Sequence, residues 1–377
     1  MKILDEKKIK NSLEARIRDD IDSGRVGGAS VLVKQEGEIV YSGCFGLADH
    51  NKPLGESAIL RLASLTKPIT AAAILKQVDR GLVSIFDPIE KFIPEYAEMD
   101  IGALGEDGET VITGKASESI RIIHLLNHTS GVGSSLLGDK LFAELKSDER
   151  VDLKSIAKAY ANRPLAFEPG SMTVYSPLIA FDLLARVVEI TSGEAYDKFL
   201  KKEIFEPLGM VDTTFVPTED QWGRMVCIHN FDGEKSDFLP LDRAHTMSDL
   251  PLTYFCGGAS LVSTVSDYSN FAEMLLTDGK KDGEQLISRK LIKQMQTPSV
   301  DDKIMPGPQK WGLGVRVITS EDYAHLPVGA YGWSGAYGAH MWVDPKNKIT
   351  AVYMKNSLYD GGAGALTAVN FEDDIYF

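Results

Sequence analysis

Three cysteines in 377 residues, Cys44, Cys227 and Cys256, are too sparse, odd and scattered for a disulfide framework. None belongs to a Cys-x-x-Cys pair, so a structural zinc site is not indicated. No stretch approaches the roughly 20 consecutive apolar residues that cross a bilayer. Met1 to Asp22 is charged throughout and lacks the apolar centre of a signal peptide. Positive charge is also short: 40 Lys and Arg against 54 Asp and Glu leave a net charge of −14. That balance argues against nucleic acid or an anionic membrane surface as partner. No internal repeat or low-complexity segment occurs. These absences describe a protein expected in the cytoplasm, acting on small molecules, with a homo-oligomer left open.

What is present suits a globular enzyme. Hydrophobic residues make up 44% and charged residues 25%, enough for one large or two medium domains with ample core. The N-terminal segment carries a helical pattern (Ile9, Leu13, Ile17, Ile21). Ala29–Lys34 and Glu38–Phe45 read as strands joined at Glu36-Gly37. Helical periodicity then dominates: Ile69–Val78, Ile120–Asn127, Ser155–Asn162, Leu178–Thr191 and Ala195–Ile204. Helices are expected again at Ser266–Leu276 and Ser288–Met295, and strands at Gly312–Ile318, Val328–Trp333, His340–Val343 and Ile349–Met354, before a closing helix. Strands at both chain ends with helices between them predict an α/β (α+β) fold. Its antiparallel sheet would join N- and C-terminal strands under flanking helices. The expected division is 1–85 with 256–377 as the sheet domain and 86–255 as a mostly helical domain, with a ligand cleft between them.

Chemistry is concentrated at Ser64-Leu65-Thr66-Lys67. Residues i and i+3 share a helix face, so hydroxyl and amine would meet. A serine hydroxyl needs a neighbouring base at neutral pH, and lysine serves only if burial or a nearby cation lowers its pKa. The spelling alone is weak, because Ser155-Ile-Ala-Lys158 matches it too. Ser155 and Lys158 lie on the polar side of an amphipathic run, Val151 to Ala161. Ser64 instead follows an extended segment and precedes an apolar, Ala-rich helix, with Pro68 marking the first turn. A helix start offers free N–H groups and a positive dipole end to an oxyanion. Position alone leaves Ser64 either a nucleophile or a helix cap.

An acyl-transfer serine also needs a proton shuttle. Tyr160 sits on the apolar side of its helix, where packing explains it. Tyr175 follows the loop Phe167-Glu168-Pro169-Gly170-Ser171 and precedes a helix, a junction that holds functional groups exposed. Context favours Tyr175.

Several stretches, in order and spread over most of the chain, carry a resemblance. They are Arg61–Lys67, Leu125-Leu126-Asn127-His128-Thr129-Ser130-Gly131, Phe167–Gly170 through Tyr175-Ser176, Trp311-Gly312-Leu313-Gly314 and Gly332-Trp333-Ser334-Gly335-Ala336. The chain resembles the serine β-lactamase-like (β-lactamase/transpeptidase-like) family. That family holds class C β-lactamases, D-alanyl-D-alanine peptidases, D-amino-acid peptidases and amidases, and family VIII carboxylesterases. The resemblance implies that Lys67 is the base for Ser64, that Tyr175 is a second general base and acid, and that the backbone N–H groups of Ser64 and Ala336 form the oxyanion hole. Trp333-Ser334-Gly335 would be the strand edge beside the substrate. No cofactor and no metal are implied. Tyr160-Ala161-Asn162 matches the Tyr-x-Asn spelling of class C enzymes, but the family's Pro-Gly…Tyr-Ser pattern again selects Tyr175.

Two departures narrow the subclass. β-Lactamases and peptidases of the family begin the last motif with Lys or His, a cation suited to a substrate carboxylate. Here Trp333 stands there, an apolar wall with one donor, as in family VIII esterases. Pro177 replaces a usual Asn and removes its amide. The expectation is a carboxylesterase for short-chain or aryl esters. A β-lactamase, a D-amino-acid peptidase or amidase, and a transacylase are the alternatives. Other features have plainer readings. His124 and His128 stand at i, i+4 without an intervening carboxylate, so His128 is expected to order a turn rather than bind metal. Trp333 could be core. Glu372-Asp373-Asp374 reads as a solvated helix face.

Overall fold

The computed structural model describes residues 2–376. Met1, at the head of the expected first helix, and Phe377 lie outside them. Seven strands form one antiparallel sheet: β1 (Gly28–Gln35), β2 (Glu38–Gly46), β3 (Gln309–Trp311), β4 (Arg316–Ile318), β5 (Tyr331–Ser334), β6 (His340–Asp344) and β7 (Ile349–Lys355). Their spatial order is β3-β4-β5-β6-β7-β1-β2. The chain ends meet where β1 pairs with β7, from Ala29 opposite Lys355 to Gln35 opposite Ile349. The α+β fold with a sheet shared between the two chain ends is therefore as expected.

Helices cover both faces. On one lie α1 (Glu6–Asp22) and α6 (Leu366–Tyr376). Ile9, Leu13, Ile17, Phe371 and Ile375 pack there on Val31, Val33, Trp342 and Tyr353. On the other lie α2 (Thr66–Asp79) and α5 (Val265–Leu276), over Leu32, Met341, Val343 and Val352. Neighbouring strand residues thus alternate between two apolar clusters. Every residue of β7 is buried, so its period-2 alternation is hidden in an almost unbroken apolar run. The cluster around α2 continues into α3 (Ile122–Leu126) and α4 (Ile179–Ser192), so Leu32 and Leu184 share one core.

Element positions differ from the sequence reading in a few places. Gly312–Ile318 is not one strand. It breaks at Gly312–Val315, between β3 and β4, and Gly314 (φ +74°) takes the left-handed conformation there. A Cβ on Gly314 would stand 2.6 Å from Ala71 Cβ, so the break lets this loop press on α2. The expected helix over 195–204 changes form midway: Tyr196–Leu200 is α-helical and Lys201–Phe205 is a π-helical turn. The hairpin Asp100–Leu104 with Thr110–Lys115 and the helix Ser135–Ala143 were not legible, because their exposed residues carry little periodicity. The expectation for the acidic triplet fails. Glu372 is 1% exposed and Asp374 is 5% exposed. Each of the three carboxylates meets a basic side chain: Glu372 meets Arg316 at 2.6 Å, Asp373 meets His325 at 2.7 Å and Asp374 meets Arg16 at 2.7 Å. Arg316 from β4 and Arg16 from α1 offset the cost of placing Glu372 and Asp374 against the sheet. Those partners are far away in sequence.

Candidate active site

Ser64 sits in a tight 3₁₀ turn, Ala63–Leu65, that runs directly into α2. The turn is sharp because Ala63 adopts φ +44°, a left-handed conformation that costs a non-glycine residue energy. Helix α2 is apolar on nearly every side, with Ala71, Ala72, Ala73 and Ile74 fully buried, so it is a rigid core element. Lys67 lies in the first turn of this buried rod and is itself 1% exposed.

The lysine side-chain nitrogen has three neighbours. Its Nζ donates to the carbonyl oxygens of Pro177 at 2.6 Å and Gly258 at 3.0 Å, and lies 3.3 Å from Ser64 Oγ. Two carbonyls thus fix two of its directions, and the third faces the serine hydroxyl. The Tyr175 hydroxyl lies 2.8 Å from the same Oγ. The lysine also stands 4.9 Å from the centre of the Tyr175 ring and 5.4 Å from that of Phe181. Ser64, Lys67 and Tyr175 are therefore brought together from α2 and from the loop ahead of α4.

The competing motifs lie elsewhere. Tyr160 is fully buried and its hydroxyl donates to Gly138 O at 3.4 Å; burial pushes its phenol upward. Ser155 donates its N–H to the Asp152 cap at 2.7 Å, and Lys158 is exposed.

An aromatic wall closes one side. Trp333 Nε1 donates to the Tyr175 hydroxyl at 3.4 Å, and the Trp333 ring centre lies 4.6 Å from that of Trp311. At 9% exposed, Trp333 is largely buried yet borders a cavity of about 290 Å³, so it is not plain core. Gly335 explains how β5 reaches the nucleophile. A Cβ there would stand 2.1 Å from Leu62 O, so only glycine allows the strand end to close on the turn that leads to Ser64. The following residue, Ala336, is exposed. Ser334 behaves differently. Strand alternation turns its side chain to the α6 face, where Oγ meets His340 Nδ1 at 2.7 Å and His340 Nε2 meets Glu372 at 3.1 Å. This buried array has the order of a hydrolase triad but lies behind the sheet, away from Ser64.

Sequence reasoning expected His128 to order a turn and passed over Asp182. His128 adopts φ +58° and accepts the Ser176 N–H at Nδ1, 3.1 Å away, with its ring 4.6 Å from that of Tyr175. Burial, reinforced by the Lys67 charge, pushes its pKa well below the ordinary range and keeps it neutral. It orders the turn behind Tyr175. His124 instead accepts the Arg121 N–H at 3.2 Å, so the two histidines serve different partners. Among the described residues no group of three or more His, Cys, Asp or Glu side chains is disposed to hold a metal ion. Asp182 is fully buried inside α4 and accepts the Gly257 N–H at 2.9 Å. Burial raises its pKa to about 6, against the lowering effect of hydrogen bonds from Tyr254, Cys256 and Gly257. It thereby anchors the segment whose next carbonyl, Gly258 O, receives Lys67. A carboxylate amid Ile179-Ala180-Phe181 and Leu183-Leu184 was the available signal.

The chain is similar to known proteins over nearly its whole length. The Beta-lactamase family profile matches residues 13–371. Esterase EstB of Burkholderia gladioli is 29% identical over 397 aligned residues, covering 97% of this chain and 95% of its own length. A putative D-alanyl-D-alanine carboxypeptidase of Escherichia coli K12 is 25% identical, covering 92% of this chain and 82% of its own. The solved structure of EstCE1, described as a hydrolase with promiscuous acyltransferase activity, superposes with a TM-score of 0.82 at 23% identity, over 99% of both chains.

Proposed function

We propose, from the premise that this chain belongs to the Beta-lactamase family, that it is a serine hydrolase of uncharged short-chain or aryl carboxylic esters. The observation that carries this reading is Ser64 Oγ held between Lys67 Nζ at 3.3 Å and the Tyr175 hydroxyl at 2.8 Å, with Trp333 where the family's β-lactamases place a cation. Similarity to an esterase over nearly the whole chain supports it.

Ser64 Oγ attacks the ester carbonyl and its proton passes to the Lys67–Tyr175 pair. The backbone N–H groups of Ser64 and Ala336 receive the oxyanion. Collapse of the tetrahedral intermediate breaks the C–O bond, Tyr175 returns the proton to the leaving alcohol, and the acyl group stays on Ser64. Water then adds to the acyl-enzyme as the same pair takes its proton; the acyl–Oγ bond breaks, the pair returns the proton to Ser64 Oγ, and the acid departs. The proposed steps use only side chains and backbone N–H groups of this chain. We assign the site to the cleft between residues 86–255, which supply Tyr175 and the Pro177 carbonyl, and the sheet-bearing remainder, which supplies Ser64, Lys67 and the Gly258 carbonyl. The partner is a small molecule. No helix among the described residues is long and apolar enough to cross a membrane. Three unpaired cysteines suit a reducing compartment such as the cytoplasm.

A second reading, an amidase or D-amino-acid peptidase, rests on the carboxypeptidase relative. Measuring kcat/KM on p-nitrophenyl butyrate, nitrocefin and a D-alanyl dipeptide, with Ser64→Ala as control, separates the two. The ester should lead by at least tenfold, and Ser64→Ala should be inactive on it. Near-full activity of Ser64→Ala would sink the nucleophile assignment. A dipeptide or lactam preference would replace the ester with an amide.

A further inference from the structure

Both carbonyls that receive the Lys67 nitrogen, Pro177 O and Gly258 O, lie where the segment 256–258 presses on the start of α4. A Cβ on Gly257 would stand 2.3 Å from Phe181 O, and one on Gly258 would stand 2.9 Å from Pro177 O, so the close approach needs both glycines. Gly257 is gripped from two sides. Its N–H donates to Asp182 Oδ1 at 2.9 Å, and its carbonyl accepts the Thr70 hydroxyl at 2.6 Å. Thr70 stands on α2 close behind Lys67, and the Tyr196 hydroxyl lies 2.6 Å from its Oγ1. Asp182 Oδ2 accepts the Tyr254 hydroxyl. A neutral amide would accept the same Gly257 N–H, and burying a charge is costly, so the charge of Asp182 calls for a role. Burial pushes the carboxyl up to about 6, against hydrogen bonds from Tyr254, Cys256 and Gly257 and the Lys67 charge, so it is ionised at neutral pH. The titratable groups facing it, Tyr254, Cys256, Tyr196 and Tyr96, are pushed upward by burial and stay neutral. Lys67 is faced by Tyr175, Cys256 and the neutral His128.

We propose that Asp182 is a positioning residue for the activation of Ser64: through Gly257 it holds Gly258 O on the lysine nitrogen, and its buried charge tightens the hold of the Lys67–Tyr175 pair on its proton. The proposal rests on Ser64 being the nucleophile activated by that pair. Charges act on one another more strongly in the interior than at the surface, because the dielectric there is lower. A nearby negative charge favours the protonated state of an amine and of a phenol alike, so the sign does not depend on which member takes the serine proton. The proton so retained is the one returned to the leaving alcohol. Asp182 acts through Gly257 and Lys67 and not on the substrate itself.

The test follows kcat/KM on p-nitrophenyl butyrate, and the rate at which a fluorophosphonate labels the protein, between about pH 5 and 10. Asp182→Asn keeps the size and an acceptor for the Gly257 N–H but removes the charge. The acidic limb of both profiles should move down by about one pH unit, the scale for one nearby opposite charge. Thr70→Val deletes the other grip on Gly257 without touching a charge. It should lower kcat and leave the limb in place. A limb in Asp182→Asn that coincides with the parent's or moves up would overturn the proposal. So would an equal shift in Thr70→Val, because loosening Gly257 would then account for it. If Asp182→Asn does not fold, Tyr254→Phe takes its place. With one donor lost the Asp182 carboxyl keeps its proton to higher pH, and the limb should move down by a smaller step; an unmoved limb there overturns the proposal equally. Ser64→Ala, labelled alongside, tests the nucleophile separately: labelling that persists in it refutes the proposed function wherever the limbs lie.

Discussion

The Tyr175 hydroxyl lies 2.8 Å from Ser64 Oγ although the two residues are 111 positions apart in the chain. Lys67, three residues along the chain from the serine, is farther from it at 3.3 Å. The shortest contact to the nucleophile is thus a tertiary one. Tyr175→Phe should lower kcat by about 10²-fold, the scale for removing a proton-transfer group, while KM changes little. Tyr160→Phe removes only a 3.4 Å bond to Gly138 O and should leave the rate within a few-fold of the parent. Steady-state kinetics of the two variants check this, and the reversed pattern would exclude Tyr175.

Trp333→Phe keeps an aromatic wall but deletes the indole donor, 3.4 Å from the Tyr175 hydroxyl. A single neutral hydrogen bond is worth about 1 kcal/mol. The expected loss in kcat/KM is therefore about fivefold, with melting temperature nearly unchanged. Trp333→Ala should cost much more, because the ring contacts with Trp311 and Tyr175 go with it.

Gly335→Ala should be among the most damaging small substitutions. The new methyl would stand 2.1 Å from Leu62 O, a backbone atom with nowhere to move. Strand β5 must then draw back from the Ser64 turn, and misplacement near 1 Å costs about 10²-fold. Acylation of Ser64 by a fluorophosphonate should slow in parallel. An unchanged labelling rate would mean that the close approach plays no part in the oxyanion site.

Lys355 is fully buried at the end of β7, beneath Gly338, with its Nζ donating to Tyr359 O at 2.7 Å. Burial lowers its pKa to about 8, against the opposing charges of Asp360 and Asp20. The unfolded chain keeps that proton up to about pH 10.4. Between pH 8 and 10 the unfolded state therefore binds more protons than the folded one, and this residue makes stability rise with pH. Relative to Lys355→Met, the parent should gain melting temperature on going from pH 8 to pH 10. Parallel curves for the two proteins over that range would rule out the linkage.

Much of this was determined by the sequence itself. The Ala-rich run after Ser64 could only be a buried helix, so the serine and Lys67 had to share one of its faces. The short apolar runs at both ends of the chain had to pair, because each needs neighbours to bury its faces. Tyr175 stood out by lying between a Pro-Gly loop and a helix. Local spacing suffices where a relationship spans one helical turn or one strand.

Tertiary structure decided the rest. Glu372, Asp373 and Asp374 look like any solvated acidic patch until α6 lays them against Arg316, His325 and Arg16. Gly258 O and Pro177 O become ligands of Lys67 only when two distant loops converge. Ser334, beside Trp333 in the chain, turns to the opposite face and joins His340. A charge is read correctly only with its partner, and a side chain's side of the sheet only with the sheet. Both are set by contacts between residues tens or hundreds of positions apart, which no local pattern encodes.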